Sequence, residues 1–345
     1  MIKERNDSMT NKATQISDNS LYNKISSILE ESRKFVATTV NTAMVQTYFE
    51  IGRLIVEEEQ HGNVRAEYGK ETLKNLSIKL TANYGKGFSQ RNLEQMRQFY
   101  LVYSTQIPQT PSAKFSLSYS HYLFLMRIDN PEERKFYEIE SSQNNWSLRE
   151  LKRQFDSALF ERLSLSKDKE KVKSLAVQGQ IIENPCDIVK DPYVLEFLGL
   201  PEKAYYSESE LESRLIEKLE NFLLELGKGY TFVGRQVRLS FDEKHFFVDL
   251  VFYNRLLQCF VLIDLKIGEL THQDLGQMQM YVNYYDRFVK LDHENKTIGI
   301  ILCKKKSDSL VEITLPEDNN QIFASKYQTV LPNKEDLIKL IQAED

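Results

Sequence analysis

Two aspartates and a lysine stand inside the apolar run FFVDLVFYNRLLQCFVLIDLK, residues 246–266. A charge in a segment bound for the interior is costly unless it is paired, hydrogen-bonded or held on a metal. Asp249, Asp264 and Lys266 therefore call for a partner. A short polar turn at Asn254-Arg255 separates HFFVDLVFYN from CFVLIDLK, so the two runs can pair as a hairpin. Side chains alternate along a strand, which puts Asp264 and Lys266 on one face, and Asp249 reaches that face from the neighbouring strand in a suitable register. Carboxylates held close together repel, and a cation between them relieves the repulsion. A few hard oxygen ligands, with positions left for water and phosphate, suit Mg²⁺ or Mn²⁺. A lysine at such a site can orient or help deprotonate a water, or neutralise charge on a phosphate. The set fits hydrolysis of a phosphodiester. The plainer alternative is a pair of edge aspartates with Lys266 in an ordinary salt bridge. Apolar residues on both sides of each charge, as in a strand covered on both faces, favour a site.

The elements that must position these residues belong to a chain of 345 residues, long enough to expect two domains. Hydrophobic residues make up 41% and charged residues 28%, an ordinary globular balance rather than a disordered one. Residues 1–19 read as a disordered polar leader without the apolar core of a secretory signal. No apolar stretch approaches the roughly 20 residues needed to span a bilayer, so no membrane partner is expected and the cytoplasm is the default. Cys186, Cys259 and Cys303 lack paired spacing, which argues against a disulfide framework and a cysteine zinc site. His61 and His121 have no second ligand at metal spacing, and no phosphate-binding G-x-x-x-x-G-K-[ST] occurs. The net charge of −5 gives no global pull toward nucleic acid, so any such binding needs local basic patches or metal ions.

Residues 20–165 carry apolar residues at helical spacing, interrupted by a proline-containing loop over 104–118 and a turn at Asp129-Asn130-Pro131. Ser147, with Glu150 three residues on, has the capping-box arrangement for a further helix. A charged linker is expected over 166–190. From 191 to 345 the texture changes to a helix over 208–227, the runs YTFVGRQVRLSF, HFFVDLVFYN and CFVLIDLK, another helix, and a strand over 297–304. That order predicts an α/β domain with a mixed sheet flanked by helices, behind a mainly α N-terminal domain.

Asp249, followed after a turn by Asp264-Leu265-Lys266, resembles the PD-(D/E)XK nuclease pattern, with Val248 where proline often stands. FLLELGKGYTFVGRQ, VDLVFYN and LIDLKIGE resemble the C-terminal domain of the bacterial YhcG-type nucleases. AEYGKETLKNLSIKLTANYGKGFSQRNLEQMRQFY and WSLRELKRQ resemble the N-terminal domain of unknown function, DUF1016, found in the same proteins. The resemblance runs from about residue 22 to 340. It implies a restriction-endonuclease-like sheet, with Asp249 and Asp264 as metal carboxylates and Lys266 as the catalytic lysine. The family more often has glutamate at the position of Asp264. An acidic residue on the preceding helix usually completes such sites, and Glu217 is the first candidate with Glu212 the second. Gln277 and Tyr281 in QMQMY resemble the Q-x-x-x-Y motif of the RecB-like branch, where the glutamine supports the active site or the DNA. Helix surface and core packing are the plainer readings of that pair. Arg235 and Gln236 in VGRQ are candidate phosphate contacts.

In the N-terminal domain, residues 70–101 read as helix, glycine-containing turn, helix, with Ser89 as N-cap. Leu93, Met96 and Tyr100 would form its buried stripe. Gln90, Arg91, Gln95, Arg97 and Gln98 lie on the other face, with Lys86 just before it. Such a face suits major-groove or phosphate contact, against the commoner reading of a solvated face. The function expected is a metal-dependent nuclease acting on DNA, with RNA as the other candidate polymer. The alternative is a non-catalytic nuclease-fold module that docks on nucleic acid or on a restriction or defence partner. A homodimer is expected because many nucleases need two sites to cut two strands.

Overall fold

The structure, a computed structural model, describes residues 3–61, 66–104, 115–164, 169–201 and 206–331. Residues 105–114 of the expected loop, 165–168 of the linker and the last residues from 332 lie outside them. Contacts divide the chain into two compact units, residues 1–129 and 130–345. This packing division is a different quantity from the segment boundary read from the charge run. Among the described residues no helix is long and apolar enough to cross a membrane.

The first unit is built on α1 (Lys3–His61), a helix of 59 residues that takes in the segment read as a leader from Lys3 onward. No proline interrupts it, and its one glycine is Gly52. That glycine has a packing cause. A Cβ there would come within 2.1 Å of the Met96 carbonyl oxygen, so α1 and α3 (Gln90–Tyr103) cross closer than a side chain permits. From Val45 onward α1 buries Val45, Phe49, Ile55 and Val56. α2 (Ala66–Tyr84) leads through Gly85, at φ 93°, and a short turn into α3. Ser89 caps α3 as expected by accepting from the Asn92 amide at 3.3 Å. The stripe α3 buries is Leu93, Met96, Phe99 and Tyr103, and the expected Tyr100 sits at its half-exposed margin. Phe99 thus takes the place in the stripe that the sequence pattern gives to Tyr100. α4 (Tyr119–Leu125) closes this core with Tyr122 and Leu125.

The second unit begins with α5 (Pro131–Gln143), α6 (Leu148–Asp156), α7 (Leu159–Ser164) and α8 (Lys169–Gln178). Ser147 caps α6 by accepting from the Glu150 amide at 3.2 Å. There follow β1 (Tyr193–Val194), α9 (Glu208–Glu217), α10 (Leu219–Leu226), β2 (Tyr230–Phe241), β3 (Lys244–Asn254), β4 (Cys259–Glu269), α11 (His272–Phe288), β5 (Ile298–Lys305), α12 (Asp308–Thr314) and β6 (Ile322–Gln328). The sheet is mixed and six-stranded, in the order β1-β6-β5-β4-β3-β2. β2, β3 and β4 pair antiparallel, and β4, β5, β6 and β1 pair parallel. The β3–β4 connection turns over 255–258 rather than at Asn254-Arg255. The buried Asn254 side chain holds it, accepting from the Leu256 and Leu257 amides at 3.0 and 3.2 Å.

Alternation along β4 feeds two cores. Val261, Ile263 and Leu265 join Leu211, Leu215 and Phe222 of α9 and α10 on one face. Leu262 joins Leu275, Met278, Tyr281 and Val282 of α11 on the other. Glu225 of α10 is fully buried yet charged. Arg162 and Arg153 donate to its carboxylate at 2.7 and 3.2 Å, the Val194 amide donates at 3.0 Å, and the Lys190 ammonium bonds its carbonyl. Burial alone would raise its pKa, but Arg162, Lys190 and Arg153 together hold it at about 2. This cluster ties α6 and α7 to β1 and α10.

Candidate active site

The β3–β4 ladder runs from Asn254↔Cys259 to Leu250↔Ile263 and stops. Asp249 and Asp264 are the next residues on the two strands, so they stand where the strands part. The side-chain phase of β3 also slips here. Leu250 packs into the core under α9, while Val248, two residues away, packs into the core under α11. An unbroken strand would send both to the same face. The Asp249 carboxylate repairs the open ladder by accepting from the Leu265 amide at 2.8 Å. One backbone donor of β4 is thus satisfied by a side chain, and Asp249 is fixed beside Asp264.

Asp264 is 3% exposed. Lys266, on the same face two residues on, brings its ammonium 2.8 Å from Oδ2, and Asp274 of α11 lies 3.9 Å from that ammonium. The contact lies off hydrogen-bond geometry, so Oδ2 has charge beside it but no donated hydrogen bond. Burial and the neighbouring Asp249 push the Asp264 carboxyl up to about 6 against the opposing pull of Lys266. For Lys266 burial acts downward, but Asp264, Glu208 and Asp274 outweigh it and raise its pKa. Lys266 is therefore an ammonium at neutral pH.

On α9 the acid tied to this group is Glu212, and Glu217 is not. Glu212 is buried, and the Gln236 amide nitrogen bridges it to Asp249, donating to Glu212 at 2.7 Å and to Asp249 at 3.0 Å. Burial and the Asp249 charge raise its pKa. Glu217, five residues on, is exposed at the end of α9. Five residues turn a helix by about 500°, which leaves the two side chains on different faces. Glu208, one turn before Glu212, adds its field to both Asp264 and Lys266. It was missed in the sequence, although its i, i+4 spacing to Glu212 is the signal that finds it. Gln236 holds φ at 47°, a left-handed backbone inside a strand, where a residue with a side chain is strained.

Gln277 donates to the Tyr281 hydroxyl, and that hydroxyl donates to the Phe247 carbonyl at 2.9 Å. Tyr281 is buried and lies within the field of Asp264 and Asp249, which adds to burial in raising its pKa. The pair thus buttresses β3 just before Asp249. Arg235 is exposed on β2 beside Gln236. In the first unit Lys86 and Arg91 are exposed, whereas Arg97 pairs with Glu59 of α1 at 2.7 Å.

Among the described residues no three acidic, histidine or cysteine side chains form a ready metal cage. Two carboxylates do meet, one of them buried with an oxygen that receives no hydrogen bond. That donor set fits a hard divalent cation that takes most of its ligands from water and phosphate. Asp249 and Asp264 would hold it, with Glu212 tied to Asp249 through the Gln236 amide.

Three comparisons relate the chain to known proteins. Residues 186–342 match the family model described as the YhcG PDDEXK nuclease domain, and residues 24–162 match the DUF1016 N-terminal domain. The chain is 39% identical to "Putative nuclease YhcG" of Escherichia coli (strain K12), covering 92% of each chain. A repair endonuclease from Pyrococcus abyssi aligns over 38% of this chain and 50% of its own, with a TM-score of 0.26 and 16% identity.

Proposed function

We propose, on the premise that this chain belongs to the YhcG PDDEXK nuclease family, that it hydrolyses phosphodiester bonds in DNA with the help of a divalent cation. One observation carries the reading: Asp249, Asp264 and Lys266 converge where β3 and β4 part, with Asp264 pushed up to about 6 by burial and by the Asp249 charge. A bound Mg²⁺ or Mn²⁺ would offset that charge and polarise the scissile phosphate. Lys266 enters as an ammonium, so it orients the attacking water and neutralises phosphate charge rather than taking the water's proton. Glu212 is the acid of α9 assigned to the site, in place of Glu217. Gln277 and Tyr281 position β3 through the Phe247 carbonyl. Of the candidate phosphate contacts, Lys86, Arg91 and Arg235 are exposed. Arg97 contributes less, because Glu59 already neutralises it.

The test is incubation of the purified protein with plasmid, linear and branched DNA, and with RNA, in Mg²⁺ or EDTA. Cleavage of DNA in Mg²⁺, lost in EDTA and in Asp264→Ala and Lys266→Ala, is expected. Cleavage that survives both substitutions overturns the site. No cleavage of any substrate, with nucleic acid still bound, makes the protein a binding module instead.

A further inference from the structure

Leu21, Ile28 and Phe35 follow one another at seven-residue intervals along α1, and so do Tyr22, Leu29 and Val36. All six are more than half exposed, with Phe35 at 73% and Tyr22 at 68%. Ile25 and Val40 lie in the same stripe at 49% and 54%. The stripe ends where Val45 turns into the unit's own core. It occupies about 36 Å of helix, from Leu21 to Met44, at 1.5 Å per residue. At roughly 100 Å² exposed on each of the nine apolar residues from Leu21 to Met44, the accessible apolar surface is on the order of 900 Å². A soluble chain rarely leaves a contiguous patch of more than a few hundred Å² in water.

The form of the stripe identifies its occupant. A repeat of seven, averaging 3.5 residues per turn, keeps a helix face in register with a second helix along its length. The same spacing on an identical partner lets the apolar side chains interdigitate along the stripe. Charge does not oppose the match. Arg33, beside the stripe, is paired at 2.9 Å with Glu30 of its own helix. Thr39, within it, gives its hydroxyl to the Phe35 carbonyl at 2.9 Å. The apolar area also reaches the roughly 800 Å² per partner of a stable protein interface. We infer that residues 21–44 of α1 pack along the same segment of a second copy, so that the protein self-associates through this helix. The inference stands on α1 alone and is independent of the nuclease reading.

Light scattering of the full-length protein over a dilution series measures this directly. A mass at least twice 40.4 kDa is expected. The double substitution Leu29→Lys, Val36→Lys places two like charges in the stripe and should return the mass to 40.4 kDa. Its circular dichroism melt away from the low-concentration limit reports that the units remain folded. Wild-type protein that is monomeric at every concentration overturns the proposal without reference to any variant. An oligomer whose mass is unchanged in the folded double variant overturns it as well, because its interface then lies elsewhere.

Discussion

Burial and the neighbouring Asp249 charge push the Asp264 carboxyl up to about 6 from an ordinary value of 3.8. Folding therefore takes up a proton between those values, and metal-free stability falls as pH rises through that window. At neutral pH the ionised side chain costs about 3 kcal/mol, taking 1.36 kcal/mol per pKa unit. Asp264→Asn should melt higher than the wild type in EDTA at pH 7.5, with the gap closing toward pH 4. A variant that melts lower at pH 7.5 would show that the carboxylate is already satisfied. It should also lose cleavage. Glu212 and Glu217 separate by activity: Glu212→Gln lowers kcat by about 10- to 100-fold, as loss of a supporting group does, while Glu217→Gln leaves it unchanged. Equal effects would deny Glu212 its place. Asp249, Asp264 and Lys266 were legible because each interrupts an apolar run that predicts burial. The choice between the two glutamates was not, because a helix shows its own period but not which of its faces meets a distant sheet.

At the scale of elements, the buried ion cluster and the close helix crossing make separate demands. Glu225→Gln leaves Arg162 and Arg153 without their buried anion and should destabilise the second unit by about 3–5 kcal/mol, read as a lowered denaturant midpoint. Its pKa of about 2 lies below the usual carboxylate value of 4.5, so its contribution is fully present above pH 4.5 and is lost as pH falls toward 2. The acid limb of the wild-type stability curve should be shallower in the variant. Gly52→Val drives a side chain into the Met96 carbonyl and should cost about 1–3 kcal/mol or more by overpacking. Melting unchanged from the wild type would mean the crossing is looser than 2.1 Å implies. The strand runs β2 to β5 and the caps at Ser89 and Ser147 were readable from alternation and capping residues. β1 and β6 were not. β1 is two residues long, and β6 carries Ser325 and Lys326 within IFASKYQ. Parallel pairing at that end of the sheet comes from contacts distant in sequence, which local pattern does not encode.

Over the whole molecule, a net charge of −5 means that nucleic acid is attracted only by local clusters. Replacing Lys86 and Arg91 with glutamine should flatten the dependence of log affinity on log salt by about 2, near 0.9 per phosphate contact. An unchanged slope would remove the α3 face from the binding surface. The two family segments meet around residues 162–186, whereas packing divides the chain between Asp129 and Asn130. Arg153 and Arg162 belong to the first segment by sequence and to the second unit by contact. A fragment begun at the family border would carry Glu225 into its interior without either guanidinium. The half that carries the candidate site is thus not portable where its sequence says it starts, and recombination, natural or engineered, has to cut ahead of Pro131 to move it whole.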